Sequence, residues 1–251
     1  MTDRVHVLRS SVEHLRSVVD RIDSADHTSS AYPTEWSIAD TLSHLGSGAV
    51  IMRRNFDDAI GRSSPDAQFN QSVWDDWNSK APADQVADAL LADQALVESL
   101  ESSTEAQRND FHFSMGPLNL DFNGFVGLRL NEHALHTWDV EVTLDPGATL
   151  SSEAAGEIID TLHIIVRFAG KANGETKALR IRTIDPSRDF TLVFSADSVS
   201  LDDAEHEATV DFELPAEAFV RLIYGRLDAS NAPAGINELH LENLQKAFPG
   251  I

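Results

Sequence analysis

The chain has 251 residues, 42% of them hydrophobic, and carries 19 Lys+Arg against 41 Asp+Glu for a formal net charge of -22. This length and apolar content suffice for one large domain or two small ones with a conventional core, which excludes wholesale disorder. The excess of negative charge repels phosphate backbones and anionic lipid, so neither nucleic acid nor a membrane surface is an expected partner.

The spacing of Val5, Leu8, Val12, Leu15, Val18, Val19 and Ile22 predicts a first helix over about residues 3–22. After a polar break, Ser37 or Thr34 can cap a second helix running from the Trp36-Ser37 step to about Ile60. The segment from Gly61 to Ala81, opening with GRSSPDAQFNQ, reads as a connecting loop. Pro82 sits at a tolerated first-turn position of a third helix over roughly 82–101. Phe111-His112-Phe113 and Leu118-Asn119-Leu120 flank Met115-Gly116-Pro117 as a short ribbon with a turn, after which Asp121 can cap a fourth helix to about residue 142. Four amphipathic helices with mostly short connections predict a bundle.

The character changes after LDPGATLSS, which places a domain boundary between residues 147 and 148. Beyond it, residues 152–169 read as a helix, and Leu179–Ile184, Phe190–Phe194 and Thr209–Leu214 as strands. Leu214-Pro215-Ala216-Glu217 opens a helix to about 224, and Ile236–Phe248 forms the last. The fold class expected is therefore mainly α and then α+β: a bundle at 1–147 and a smaller mixed domain at 148–251.

Cysteine is absent, so the protein has no disulfide, no thiolate ligand of its own and no cysteine nucleophile. Any sulfur chemistry must use a borrowed thiol. No run of about 18 apolar residues occurs, and the N-terminus mixes charged with apolar positions, so the cytoplasm is the expected location.

The chemistry concentrates on histidines and carboxylates. In NEHALHTWD, Glu132 and His136 stand at i,i+4, one turn apart on one helix face, where both can reach a single ion. A carboxylate oxygen and an imidazole nitrogen suit zinc or another borderline divalent cation. A third ligand must come from another helix, and His44 is the natural candidate. His133 is a rival with poorer geometry beside Glu132, and the ordinary alternative for the pair is a solvated helix-surface contact. Asp40 and Asp139 lie within a turn of His44 and His136, placed to orient an imidazole or to serve as ordinary caps. Trp36 and Trp138 read as packing residues, and the Phe-rich ribbon at 111–125 as closure of the bundle.

At this point the chain resembles a known family. The strings EWSIADTLSHL, MGPLNLDFNGFVGLRLNEHALHTWDV, LPAEAFVRLIYGRLDA and the FPG at 248–250 are similar to those of mycothiol-dependent maleylpyruvate isomerases, in the same order along nearly the whole chain. The resemblance implies a DinB-like four-helix bundle holding a metal, with His44, Glu132 and His136 at the matching positions. It implies a sterol-carrier-like C-terminal α+β domain contributing an arginine at a Gly-Arg step, here Gly225-Arg226, as the catalytic cation. It also implies zinc as the cofactor and mycothiol, the small thiol of actinobacteria, as cosubstrate, with a small-molecule electrophile as acceptor.

A free thiol titrates above neutrality, and coordination to a divalent cation removes its proton, which agrees with the missing cysteines. In the isomerase reaction thiolate addition makes a cis double bond single, rotation follows, and loss of the thiolate restores it as trans. A transferase stops after addition or displacement. A dianionic acceptor calls for arginines. Beyond Arg226, the residues Arg221, Arg129, Arg53 and Arg54 are possible helpers whose ordinary alternative is a solvated surface place. Two other readings stand beside the thiol enzyme: a thiol-independent DinB-type metallohydrolase, and a non-catalytic binding protein for a small apolar ligand. A monomer or homodimer is expected.

Overall fold

The computed structural model describes residues 3–32, 35–116, 118–172, 174–206, 209–233 and 238–250. The chain divides into two compact units, Met1–Asp145 and Pro146–Ile251.

In the first unit, α1 (Arg4–Val19) is capped by Asp3, whose side chain accepts from the Val5 N–H. The helix stops at Val19, earlier than the apolar stripe predicts. Arg21 and Ile22 turn back onto the Val18 and Val19 carbonyls, so Ile22 still packs on the core from outside the helix. A short 3-10 turn at Ser24–Asp26 leads to α2 (Ile38–Ala59). Ser37 is its cap; the alternative, Thr34, lies outside the described residues.

The region read as a loop holds α3 (Phe69–Ser79). Its apolar side is a single row, Phe69, Val73 and Trp77, too narrow among polar neighbours to stand out in the sequence. The next helix, α4 (Pro82–Glu101), starts on its proline as expected, and α5 (Glu105–Asn109) is a short addition held by a Thr104–Gln107 capping box. The ribbon forms as β1 (Phe113–Met115) and β2 (Leu118–Leu120), antiparallel with Phe113 opposite Leu120; Gly116 turns with a φ of 56°, while Pro117 lies outside the described residues. Asp121 then caps α6 (Phe122–Glu141) by accepting from the Gly124 N–H at 2.7 Å.

Helices α1, α2, α4 and α6 form the four-helix bundle, with α1 packed on α4 and α6, and α2 packed on the same two. One core cluster joins Leu15, Val18, Ile38, Leu42, Leu45, Val86, Ala89 and Val140. Phe56, Phe111, Phe122 and Phe125 form an aromatic cluster that closes the bundle near the ribbon.

The second unit opens with α7 (Ser152–Ile159) and α8 (Leu162–Ala169), two helices where one was expected, separated at Asp160-Thr161. Strands β3 (Lys177–Ile184), β4 (Arg188–Phe194), β5 (Val199–Asp203) and β6 (Phe212–Pro215) form a sheet in the order β5-β4-β3-β6. The edge strand β5 was not anticipated because only Val199 and Leu201 turn inward and its end is exposed aspartate. The strand expected from Thr209 begins only at Phe212. Then α9 (Ala216–Ile223) and α10 (Glu238–Ala247) follow; the expected start of the last helix, at Ile236, lies outside the described residues. This is the mainly-α, then α+β class the sequence implies.

One feature of the bundle core is polar. Asp93 of α4 and Arg129 and His133 of α6 are all 2% exposed or less, with Arg129 Nη2 donating to Asp93 Oδ1 and His133 Nε2 standing 3.3 Å from Asp93 Oδ2. His133 Nδ1 faces the Ser11 hydroxyl at 2.8 Å. Burial pushes the His133 imidazole below its ordinary value in spite of the Asp93 charge. Burial pushes the Asp93 carboxyl up, but the charge of Arg129 and the contacts with His133 and Arg129 hold it below the usual carboxylate range.

Both shifts act in one direction on stability. As pH falls below about 6.5 the unfolded histidine takes a proton that native His133 refuses, at a cost up to about 1.4 kcal/mol per pH unit. The contribution of Asp93 is present above about 3.9 and is lost as pH falls toward its depressed native value. Urea unfolding of the metal-free protein should therefore show stability declining from about pH 7 to about pH 5.5, with a slope shallower by close to one proton in His133→Leu. An unchanged slope would show that His133 titrates as an ordinary histidine.

Candidate metal centre

Local structure places the site. The Ser37–Asp40 capping box fixes the start of α2: the Ser37 N–H donates to Asp40 Oδ2 at 2.9 Å, and the Asp40 N–H to Ser37 Oγ at 3.1 Å. Asp40 is thus the capping partner of Ser37. The two helical turns that follow carry His44 to α6, where Glu132 and His136 project together.

The ligand atoms of His44, Glu132 and His136 lie within 4.8 Å of one another. Glu132 Oε2 is 3.0 Å from His44 Nε2 and 3.7 Å from His136 Nε2. His136 Nδ1 donates to Asp139 Oδ2 at 2.8 Å, since a carboxylate only accepts, and this leaves Nε2 as the atom that faces Glu132. Asp139 is fully buried, the His136 side chain is 12% exposed, and those of His44 and Glu132 are 42% and 43% exposed. Support on the buried side and open space on the other is the pattern of a site that admits a small molecule.

Desolvation pushes the Glu132 carboxyl up, but the His44 hydrogen bond and the charges of His136, His44 and Arg129 outweigh it and bring it to about 2. Glu132 is therefore an anion across the working pH range. The donors fit a divalent cation: ligands about 2.0–2.2 Å from zinc in a tetrahedron stand roughly 3.4 Å apart, close to the separations Glu132 makes with the two imidazoles. A ligating histidine whose other nitrogen donates to a carboxylate matches the usual support of such sites.

Trp36 belongs to the site and not to the core. Its ring centroid lies 5.1 Å from that of His44 and stacks at 5.7 Å on His136. Its place immediately before the helix cap was the available sequence signal. Trp138 is a packing residue, 1% exposed and edge-on to Tyr32. His133 faces Asp93 and Ser11 in the core and is not part of the cluster.

Arg129 and Arg221 are buried and not at the surface, whereas Arg53 is exposed. Arg129 is buried on Asp93, and Arg221, 1% exposed, is engaged by Glu217 and Asn231. Arg54 pairs with Asp58 at 2.9 Å and lies over the Phe69 ring, and Arg53 is 3.9 Å from Asp57. In the second unit Gly225 has the positive φ, 72°, that a sharp turn after α9 requires. The Arg226 guanidinium does not point outward from it: the residue is 6% exposed, and Nη1 donates to the Tyr224 carbonyl at 3.0 Å. Asp93 is the residue that sequence reading missed entirely, an acid in an alanine-rich helix with nothing local to mark it as buried.

A bundle that brings a histidine of one helix against a Glu/His pair of another, followed by an α+β unit, defines a class of two-unit proteins with a His/Glu/His donor set. The chain belongs to the mycothiol maleylpyruvate isomerase family: residues 8–141 match the family's N-terminal domain. Crystal structures of the mycothiol-dependent maleylpyruvate isomerase and of a histidine-to-alanine mutant of it share the fold, each with a TM-score of 0.64 over 94% of both chains, at 14% and 13% identity. No curated protein matches the chain in sequence. No helix among the described residues is long and apolar enough to cross a membrane.

The exposure gradient has a measurable consequence. His44→Ala and Glu132→Ala remove half-exposed groups and should change the stability of the metal-free protein by about 1 kcal/mol or less. Asp93→Ala strands a buried guanidinium and should cost about 3–5 kcal/mol. Urea denaturation of the three variants checks the contrast, and a large loss in His44→Ala would place that residue in the structural core instead.

Proposed function

We propose that the chain is a mycothiol-dependent enzyme in which His44, Glu132 and His136 hold a divalent metal, zinc by the chemistry of the donors. We infer cis–trans isomerisation of a maleylpyruvate-like diacid as its reaction. The observation that carries this reading is the convergence of the three side chains with Asp139 behind His136. Family membership supports the thiol and the reaction class. S-transfer from mycothiol to an electrophile begins with the same nucleophile, and the donor set serves either outcome.

When bound, the cation supplies a Lewis acid beside which a thiol loses its proton near neutrality. Each residue has a separate task. Asp139 accepts from His136 Nδ1 and so turns Nε2 toward the ion; Glu132 brings one negative charge; His44 brings a second imidazole from α2. Trp36 covers one side of both imidazoles and limits water there. Arg226, at the Gly-Arg step that the family resemblance matches, is the cation we assign to the acceptor's carboxylate.

Alanine at His44, Glu132 or His136 should each strip stoichiometric zinc while leaving far-UV circular dichroism unchanged. Turnover of a cis diacid should require mycothiol or a truncated analogue. Retained metal in all three variants sinks the site. Turnover indifferent to thiol favours a hydrolase, and a stable thioether product identifies S-transfer.

Arg226→Met should leave metal content and thiol affinity unchanged while kcat/KM for the acceptor falls by about 2–4 kcal/mol in transition-state stabilisation. Unchanged acceptor kinetics would remove the C-terminal unit's catalytic role.

A further inference from the structure

We propose that Arg129 is a positioning residue, a clamp that fixes the separation of His44 from Glu132 and His136 by tying the α2 backbone to α6. The inference rests on the metal reading of that cluster and concerns what holds it in shape.

Arg129 stands one helical turn before Glu132 on α6. Its Nη2 donates to the Leu45 carbonyl of α2 at 2.8 Å, and Leu45 is the residue after His44. The same nitrogen donates to Asp93 Oδ1 of α4. One guanidinium therefore links the ligand-bearing turns of both helices, at a place where Arg129 and Asp93 are 2% and 1% exposed and water has little access to substitute.

The α2 backbone is shaped to allow it. A Cβ on Gly46 would lie 2.1 Å from the Trp77 ring and 2.8 Å from Ala89 Cα, and one on Gly48 would lie 3.2 Å from Arg129 Nη1. The His44-Leu45-Gly46-Ser47-Gly48 stretch gives up side chains so that α4 and the guanidinium come close to the helix. Stability alone is a weak explanation for such a pair, because a hydrophobic pair of similar volume is often as stable. Setting register is the better-attested use of a buried ion pair, and a metal site tolerates only a few tenths of an ångström in ligand placement. A sliding of α2 along α6 would move His44 away from Glu132 and break the Leu45 bond together.

The test is the double variant Arg129→Met/Asp93→Leu, which removes both charges and strands neither, alongside Arg129→Lys, which keeps the charge on a shorter side chain without the guanidinium that spans Leu45 and Asp93. Zinc affinity is measured by competition with a chromophoric chelator, geometry by the visible spectrum of the cobalt(II)-substituted protein, and fold by urea unfolding of the metal-free form. The double variant should unfold near the wild-type midpoint yet bind zinc about 10- to 100-fold more weakly, with an altered cobalt spectrum. Arg129→Lys should fall between. A folded double variant with wild-type zinc affinity and cobalt spectrum overturns the clamp. Should the double variant fail to fold, Arg129→Lys decides by the same measurements, with unchanged affinity and spectrum overturning the clamp and weakened binding supporting it. Wild-type protein that binds neither metal overturns the metal reading itself, and the clamp with it, whereas wild-type binding that the variants share overturns the clamp alone.

Discussion

The close approach of α2 to α4 and α6 is the constraint on which the site depends. It is made at one short stretch, where Gly46 admits the Trp77 ring and the Ala89 backbone and Gly48 leaves room for the Arg129 guanidinium. A larger residue at Gly46 would push α2 away from α4, and one at Gly48 would crowd the Arg129 guanidinium. An i,i+4 pair on one helix is built into the helical repeat, but a ligand from a second helix is only as well placed as the packing between the two. Here the contact lies within a turn of His44, so the helix has little length over which to drift.

Electrostatics follow from the same arrangement. Glu132 keeps its charge although desolvation works against it, because two imidazoles and the buried Arg129 stand within reach. The cluster then shades from a buried carboxylate, Asp139, through a mostly covered His136 to the half-exposed His44 and Glu132. The covered side holds a proton at one defined atom, and the open side is where a small molecule can approach. In a chain of net charge -22 an anionic substrate meets general repulsion, so local cations must do the selecting.

What the sequence made legible and what it hid divide along physical lines. That Glu132 and His136 share a face was legible because helical periodicity fixes it, and α2 and α6 both carry clear start signals at Ser37 and Asp121; His44 came from a second helix, and the structure brings the three side chains together. The capping role of Asp40 was one of those that spacing left open, and the hydrogen bonds with Ser37 decide it. Asp93 and Arg129 stayed hidden because their burial depends on a cross-helix pairing 36 residues apart, which no local pattern records. Helix α3 and strand β5 escaped for a related reason: each buries only two residues, too few to establish a period.

The second unit shows how two separate sequence signals can be one structural device. The Gly225-Arg226 step and the terminal FPG stand more than twenty residues apart in the sequence, yet a Cβ on Gly225 would lie 2.3 Å from the Gly250 nitrogen. Gly225 is needed twice, for its φ of 72° and for the passage of the chain at Pro249-Gly250 beside it. That passage is held in place by Phe248, 1% exposed, whose N–H continues onto the Leu244 carbonyl. Arg226 then follows a turn closed from both sides: its own N–H donates to the Arg221 carbonyl at 2.7 Å, and its guanidinium to the Tyr224 carbonyl. The backbone of Arg226 is thus set by the fold on both sides of the turn.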